Sequence, residues 1–533
     1  MDTYDYVIVG GGTAGCILAN RLSADGRSTV ALLEAGEPGR GLWVGIPAGF
    51  TKLLTHPRWN WGFRSEPEPG TCDRPIAIPR GKGLGGSTLI NGMIYVRGQP
   101  GDYDAWAQAG ARGWSHADVA PYFEKLEQTT VGGAGRGRSG PMHITEVAER
   151  FPISEAFLQA AGQDGWPRNP DYNGASQEGV GYYQVCQHRG RRWSVADGYL
   201  RPALRRRNLD VRTQVHVTSL VLEQGRCTGV RLRRADGSTS QLRARHSVVL
   251  TAGAVQSPQL LELSGIGSPQ VLAAAGIPVA HALAGVGENY IDHYATRMNW
   301  RVRGARTLNE STRGLSLAAA VARYAVQRRG ILTLGTGLAF GFVKTDPAMP
   351  TPDVQYFFMH ASYADAAVRK LDRLPGMTLG VAQLRPRSRG SIHVASADPH
   401  AAPAIRPNLL THPQDQRCLI DGMRIARRIV EQPAMARYVQ AELNPGPQVQ
   451  TDAQWLEFAR RTGQTIYHPI GTCRMGEDEH AVVDSRLRVR GLQGLRVADA
   501  SVMPAMVSGN TQAAVMMIAE KAADLLLQDA RSA

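Results

Sequence analysis

Residues 5–34 leave this chain few folds to choose from. DYVIV, residues 5–9, is a short apolar run suited to a buried strand. GGGTAG follows, with Gly10, Gly12 and Gly15 in the G-x-G-x-x-G positions, and CILANRL then carries Ile17, Leu18 and Leu22 at helical spacing. STVALLE is a second strand and ends in Glu34, nineteen residues beyond Gly15. Strand, glycines, helix, strand and terminal acid together predict a Rossmann-like dinucleotide site in an α/β fold. Gly10 allows the tight turn, Gly12 lets backbone approach a pyrophosphate, and Gly15 lets helix and strand pack closely. The helix N-terminus offers free N–H groups and positive dipole to phosphates. Glu34 can accept hydrogen bonds from both ribose hydroxyls, and its charge repels a 2′-phosphate, which argues against NADP. The glycines alone do not choose between NAD and FAD.

A second glycine-rich element, PRGKGLGGSTLINGMIYVRG, spans residues 79–98. Gly81, Gly83, Gly85 and Gly86 prevent regular structure, while Leu89, Ile90, Met93, Ile94 and Val96 indicate burial. A buried loop of this kind offers its backbone to a ligand. Strands are expected over 209–223 and 246–252, and GAVQSPQLLELSGIG (253–267) reads as a turn into a helix that stops at its glycines. LRVADAS (495–501) is a short strand ending at Asp499. A final helix follows, with a buried stripe of Val515, Ile518, Ala519, Ala522 and Leu526. Residues 301–460 differ in character, mixing strand-like PDVQYFFMH and GSIHVAS with the basic helical piece LAAAVARYAVQRRG. They read as a second domain inserted between nucleotide-binding segments.

The length of 533 residues exceeds one compact domain, and 43% hydrophobic with 20% charged residues is ordinary for a globular protein. The net charge of +14 raises nucleic acid as a partner, but the basic runs are short and no aromatics interleave, so no nucleic-acid binding is expected. No apolar run reaches the roughly 18–20 residues of a membrane span, and MDTYDYVIVGGG has no basic leader. None of the six cysteines forms a CxxC pair, so no metal is expected and a reducing, cytoplasmic setting is. Segment 316–329, apolar then basic, adds peripheral contact with the inner membrane as a further expectation.

Several ordered motifs together resemble the glucose–methanol–choline (GMC) oxidoreductases, flavoproteins that oxidise alcohols. GKGLGGSTLINGMIYVRG is similar to the family's first signature and GAVQSPQLLELSGIG to its second, joined by GVGENYIDH (285–293) and YHPIGTCRMG…VADASVMP…GNTQAA. The resemblance runs nearly end to end. It implies a discontinuous FAD-binding domain (1–150, 213–300 and 463–533) and a substrate-binding domain on an antiparallel sheet (151–212 and 301–462). It implies FAD, with Thr13, Ala14, Glu34 and Ala35 around the adenosine and phosphates and Val217 at the adenine. Gly83, Ser87, Asn91, Gly92, Met93 and Ile94 would line the pyrophosphate and isoalloxazine, Trp61 and Tyr467 would approach the flavin, and Asp499, Ala500 and Gln512 would complete the pocket. Some relatives attach FAD covalently through a histidine in the first signature. STLINGM has Asn91 and no histidine, so non-covalent FAD is expected.

Alcohol oxidation removes a hydride from carbon and a proton from the hydroxyl. The flavin takes the hydride, so the protein must supply a base, and histidine suits that near neutral pH. The resemblance gives this role to His468, stiffened by Pro469, and gives Asn510 the substrate oxygen. Asn510 also suits a helix N-cap. Cys473 is expected to be structural. Trp59, Trp61, Tyr356, Phe357 and Phe358 suggest an apolar pocket, hence primary aliphatic or aryl alcohols, ahead of sorbose-type polyols and choline. A quinone, a dye-like acceptor or O2 would take the electrons. A cyanohydrin lyase, which keeps FAD without net redox, and a non-catalytic flavin binder are the rival readings.

Overall fold

A computed structural model describes residues 2–234, 236–365 and 370–532. The first strand, Asp2–Val9, lies inside a seven-stranded sheet between Val30–Leu33 and Thr239–Leu250, parallel to both. Leu209–Arg212 extends the parallel part beyond Val30–Leu33, and Leu495–Val497 runs parallel beside the end of Thr239–Leu250. An antiparallel meander of Arg226–Arg234 and Val215–Glu223 completes the other side. Val7, Ile8 and Leu32 are fully buried because helices cover a parallel sheet on both faces. One cover is the Thr13–Leu22 helix, packed on the C-terminal helix Gln512–Ser532. The stripe expected on that last helix is buried throughout.

The strand expected at 246–252 is the end of the longer Thr239–Leu250. Its first half alternates exposed charges with buried residues and carries no apolar run, which hid it in the sequence.

A second sheet of seven strands is antiparallel, as expected. Its order is Val439–Asn444, Tyr294–Val302, Gly376–Gln383, Val354–Met359, Ala339–Val343 and Gly179–Tyr182, with Gln464–Thr465 pairing Tyr294–Val302. Its own core gathers Trp300, Tyr356, Phe358 and Trp455, closed by the amphipathic helix Pro413–Glu431. The basic helix expected at 316–329 spans Gly314–Gln327.

Candidate active site

The cavity of interest runs from the glycine loop of the parallel sheet to the face of the antiparallel one. At one end it is lined by Gly10, Gly12, Thr13, Ala14, Glu34, Ala35 and Val217. Trp61 stands at this end, edge-on to His216 at 6.2 Å. The middle is formed by Ser87, Asn91, Gly92, Met93 and Ile94, with Asp499 and Ala500 opposite. The far end holds Tyr467, His468, Asn510 and Gln512, beneath Ala295, Thr296, Phe357, Met359 and Thr378 of the antiparallel sheet.

Gly15 and Gly83 do not line it. A Cβ on Gly15 would sit 1.9 Å from the Gly10 carbonyl oxygen, so this glycine serves the close packing of helix on strand. Gly83 donates its N–H to Glu34 Oε1 at 3.0 Å. The Glu34 carboxylate also accepts from Gly11 (2.8 Å) and Gly36 (2.7 Å), so it clamps three loops together as well as facing the cavity. Burial pushes its pKa up, and the three amides oppose that shift.

The two glycine loops meet. Gly86 has φ +51°, and a Cβ there would lie 2.7 Å from the Gly12 Cα. What remains is a cradle walled by backbone, beside a helix N-terminus whose Gly12 cap leaves its amides without a side-chain acceptor. Asp499 is held by Gly253, Ser257 and Ser501. A long cavity with such a cradle at one end and a polar pocket at the other fits FAD.

His468 follows Tyr467, a residue with φ +72°, and precedes Pro469, so its backbone is closely fixed. Its N–H donates to Asp292 Oδ1 at 2.8 Å, and Arg80 donates to the Tyr467 carbonyl. The ring is held at both nitrogens. Nδ1 is 3.0 Å from Nδ1 of His293, and Nε2 is 3.2 Å from Nδ2 of Asn510. The neighbours decide the protons. His293 Nε2 meets the Leu384 carbonyl at 2.9 Å, and a carbonyl only accepts, so His293 carries its proton there. Its Nδ1 therefore accepts, and His468 Nδ1 donates. At the other end Gln355 Nε2 donates to Asn510 Oδ1 at 3.2 Å, which turns the Asn510 amide N–H toward His468 Nε2. The Leu384 carbonyl, acting through His293, therefore leaves His468 Nε2 as the unprotonated nitrogen, and the Asn510 amide is oriented to match.

Electrostatics agree. Burial, then His293 and Arg80, hold the His468 pKa well below its usual 6.5, so the ring is neutral near pH 7. Burial likewise pulls His293 down to about 4 and pushes Asp292 up to about 7.

His293, Asp292 and Gln355 escaped the sequence reading. The first two lie in GVGENYIDH, a stretch whose sequence alone assigns them no task. Arg192 escaped as well. It is buried and donates to Val44, Thr88 and Asn91, with no carboxylate among these partners. Burial lowers its pKa to about 9. Asn91 in turn donates to Gln512 Oε1 at 2.5 Å. Of the five aromatics expected around the substrate, only Trp61 and Phe357 reach the cavity. Strand alternation sends Tyr356 and Phe358 to the opposite face, and Trp59 packs with Val44 and Leu53. Cys473 is buried, with its thiol pKa raised by burial, as a structural cysteine should be.

This fold and this site define a dinucleotide-dependent oxidoreductase. The chain belongs to the GMC oxidoreductase family, whose N-terminal model matches residues 4–295 and whose C-terminal model matches residues 386–519. It is 40% identical to an "alcohol dehydrogenase [acceptor]" of Pseudomonas putida, covering 98% of this chain and 96% of that one. It is 40% identical to an "oxygen-dependent choline dehydrogenase" of Sinorhizobium medicae, covering 98% and 95%. A formate oxidase variant of Aspergillus oryzae, solved to follow FAD modification, superposes with a TM-score of 0.92 at 25% identity, covering 100% of this chain and 99% of that one. The protein is an FAD-dependent oxidoreductase acting on CH–OH donors.

Proposed function

We propose that the protein oxidises a primary aliphatic or aryl alcohol to the aldehyde, with His468 Nε2 as the base. The observation that carries this is the fixed tautomer. A lone pair on Nε2 faces the cavity beside the Asn510 amide. The alcohol oxygen replaces the direct Asn510–His468 contact, accepting from Asn510 Nδ2 while its proton passes to Nε2. Bound FAD supplies the hydride acceptor. Gly10, Gly12, Thr13, Ala14 and Glu34 hold the adenosine and phosphates, Val217 the adenine edge, and Ser87 to Ile94 with Asp499, Ala500 and Gln512 the remainder. His293 is a positioning residue: it takes the Nδ1 proton of His468 in a hydrogen bond and so keeps Nε2 free.

The lining disfavours a cationic substrate. Among the described residues, its acids are Glu34 and Asp499, both held by backbone amides and both on the cofactor side. The substrate side presents Phe357, Met359, Thr296 and Thr378, with Arg297 on the same strand as Thr296. A trimethylammonium group would lack a carboxylate partner there. The electrons pass on to an acceptor, a quinone, a dye-like molecule or O2.

The test is anaerobic mixing of purified holoenzyme with a panel of alcohols while flavin absorbance is followed. Primary alcohols are expected to bleach it, and 3,3-dimethylbutan-1-ol, the neutral isostere of choline, should react faster than choline. His468→Ala should slow bleaching by about 10³-fold while FAD stays bound. Bleaching at the wild-type rate in that variant would end the assignment. A flavin that no alcohol bleaches would end the alcohol reading.

A further inference from the structure

The helix Gly314–Gln327, GLSLAAAVARYAVQ, is apolar and yet stands almost wholly outside the fold. Of its 14 residues only Tyr324 is buried. Leu315 is 91% exposed and Val326 83%, with Leu317 and Val321 also in solvent. An apolar helix normally turns its stripe to a core, and this one turns it to nothing.

Its surroundings continue the pattern. Tyr324 donates to the Gly190 carbonyl at 3.1 Å and anchors the C-terminal end. The next turn, Ile331–Thr333, packs on Pro47–Gly49, just beyond the exposed Leu42 and Trp43. At the N-terminal end Arg313 donates to the Asp372 carbonyl at 2.7 Å, two residues before the exposed Leu374. Charge on the patch has one sign. Residues 313–329 contain Arg313, Arg323, Arg328 and Arg329 and no Asp or Glu. Two acids border it: Glu149, 3.8 Å from Arg323, and Asp372, beneath Arg313. Among the described residues no helix is long and apolar enough to cross a membrane, so this surface can rest on a bilayer but does not enter it as a span.

We infer that this helix, with Leu42, Trp43 and Leu374, docks the enzyme on the surface of an anionic phospholipid bilayer. Leucine and valine side chains enter the acyl boundary, and the four arginines meet the headgroups. The helix, roughly 21 Å long at 1.5 Å per residue, links two stretches that reach the cavity. Phe50 follows the Pro47–Gly49 turn, Tyr363 opens the short strand Tyr363–Asp365, and both line the cavity. Docking here faces that side of the site to lipid, where apolar alcohols and quinone-type acceptors dissolve. This deepens the alcohol reading given above and rests on it for the substrate only.

The test is vesicle flotation of the holoenzyme, read separately from turnover. The protein should float with phosphatidylglycerol-containing vesicles and stay down with pure phosphatidylcholine, and salt should weaken the binding. Leu315→Asp with Val326→Asp, and separately Arg328→Glu with Arg329→Glu, should cut flotation at least tenfold while bleaching by a short water-soluble alcohol is unchanged. That unchanged bleaching shows the variants fold. No flotation of wild type on anionic vesicles at low salt would overturn the proposal. So would a wild-type dimer by light scattering that Leu315→Asp with Val326→Asp converts to monomer, since a second copy would then be the occupant. Failure of alcohols to bleach the flavin would leave the flotation result intact and count only against the substrate reading.

Discussion

At His468 the decisive information lies in its neighbours. The Leu384 carbonyl, which only accepts, fixes the tautomer through His293, and the Asn510 amide is oriented to match it. His293→Leu removes the acceptor for the Nδ1 proton, and we expect flavin reduction to fall about 10²-fold through lost geometry. His293→Asn keeps an acceptor near the same position and should recover most of that loss, at equal FAD content. Equal rates in the two variants would mean that His293 only fills space. The sign of the pH effect follows from the neutral working form. Because the His468 pKa is held well below 6.5, protonation of the histidine should not limit the reduction rate from pH 6.5 upward, and any acid limb near pH 7 belongs to Asp292. A pH-jump series with stopped-flow mixing measures this, and an acid limb centred above pH 7 would contradict it.

At the level of elements, the glycine helix is clamped on both sides. Gly15 has no room for a side chain against Gly10. At the far end Arg21 makes a bidentate pair with the buried Glu520 of the C-terminal helix, joined by Tyr199 and Lys125. Glu520→Ala leaves Arg21 and Tyr199 facing an empty buried site, so a loss of about 3 kcal/mol is expected, read from a denaturant melt. A change under about 0.5 kcal/mol would show that water takes over the contacts. Such elements were legible or not for physical reasons. The N-terminal unit was readable because strand, loop and helix are adjacent in sequence and each carries its own periodicity. The order of the antiparallel sheet was not, since its strands come from residues 179 to 465 and pair across long separations. Phe357 was recognised as a pocket residue, but Tyr356 and Phe358 were grouped with it, because a run of aromatics conceals which face each one takes. His293 was invisible as a functional residue because its partner Leu384 lies 91 positions away.

Across the whole molecule, pH also reaches stability. His393 joins Glu262 at 2.7 Å and Glu288 at 3.0 Å, tying the helix Gly253–Leu263 to the strand Ser391–His393. Burial pulls its pKa down, but the two carboxylates overcome this and raise it to about 9. A value raised above the unfolded 6.5 means stabilisation is full below pH 6.5 and is lost as pH rises toward 9. Allowing for the exposed Glu288, the effect is on the order of 2 kcal/mol. Thermal melts from pH 6 to 9.5 should show it, and His393→Gln should flatten that slope.

The strand Tyr294–Val302 begins immediately after His293, so the residue that steadies His468 also starts an interior strand of the antiparallel sheet. The base itself sits on a loop whose amide is tied to Asp292 of the same segment. Any sliding of one sheet over the other would therefore move the supports of the histidine together with Ala295 and Thr296 of the cavity wall. On the reading proposed above, alignment of the layers is thus a precondition for proton removal by His468.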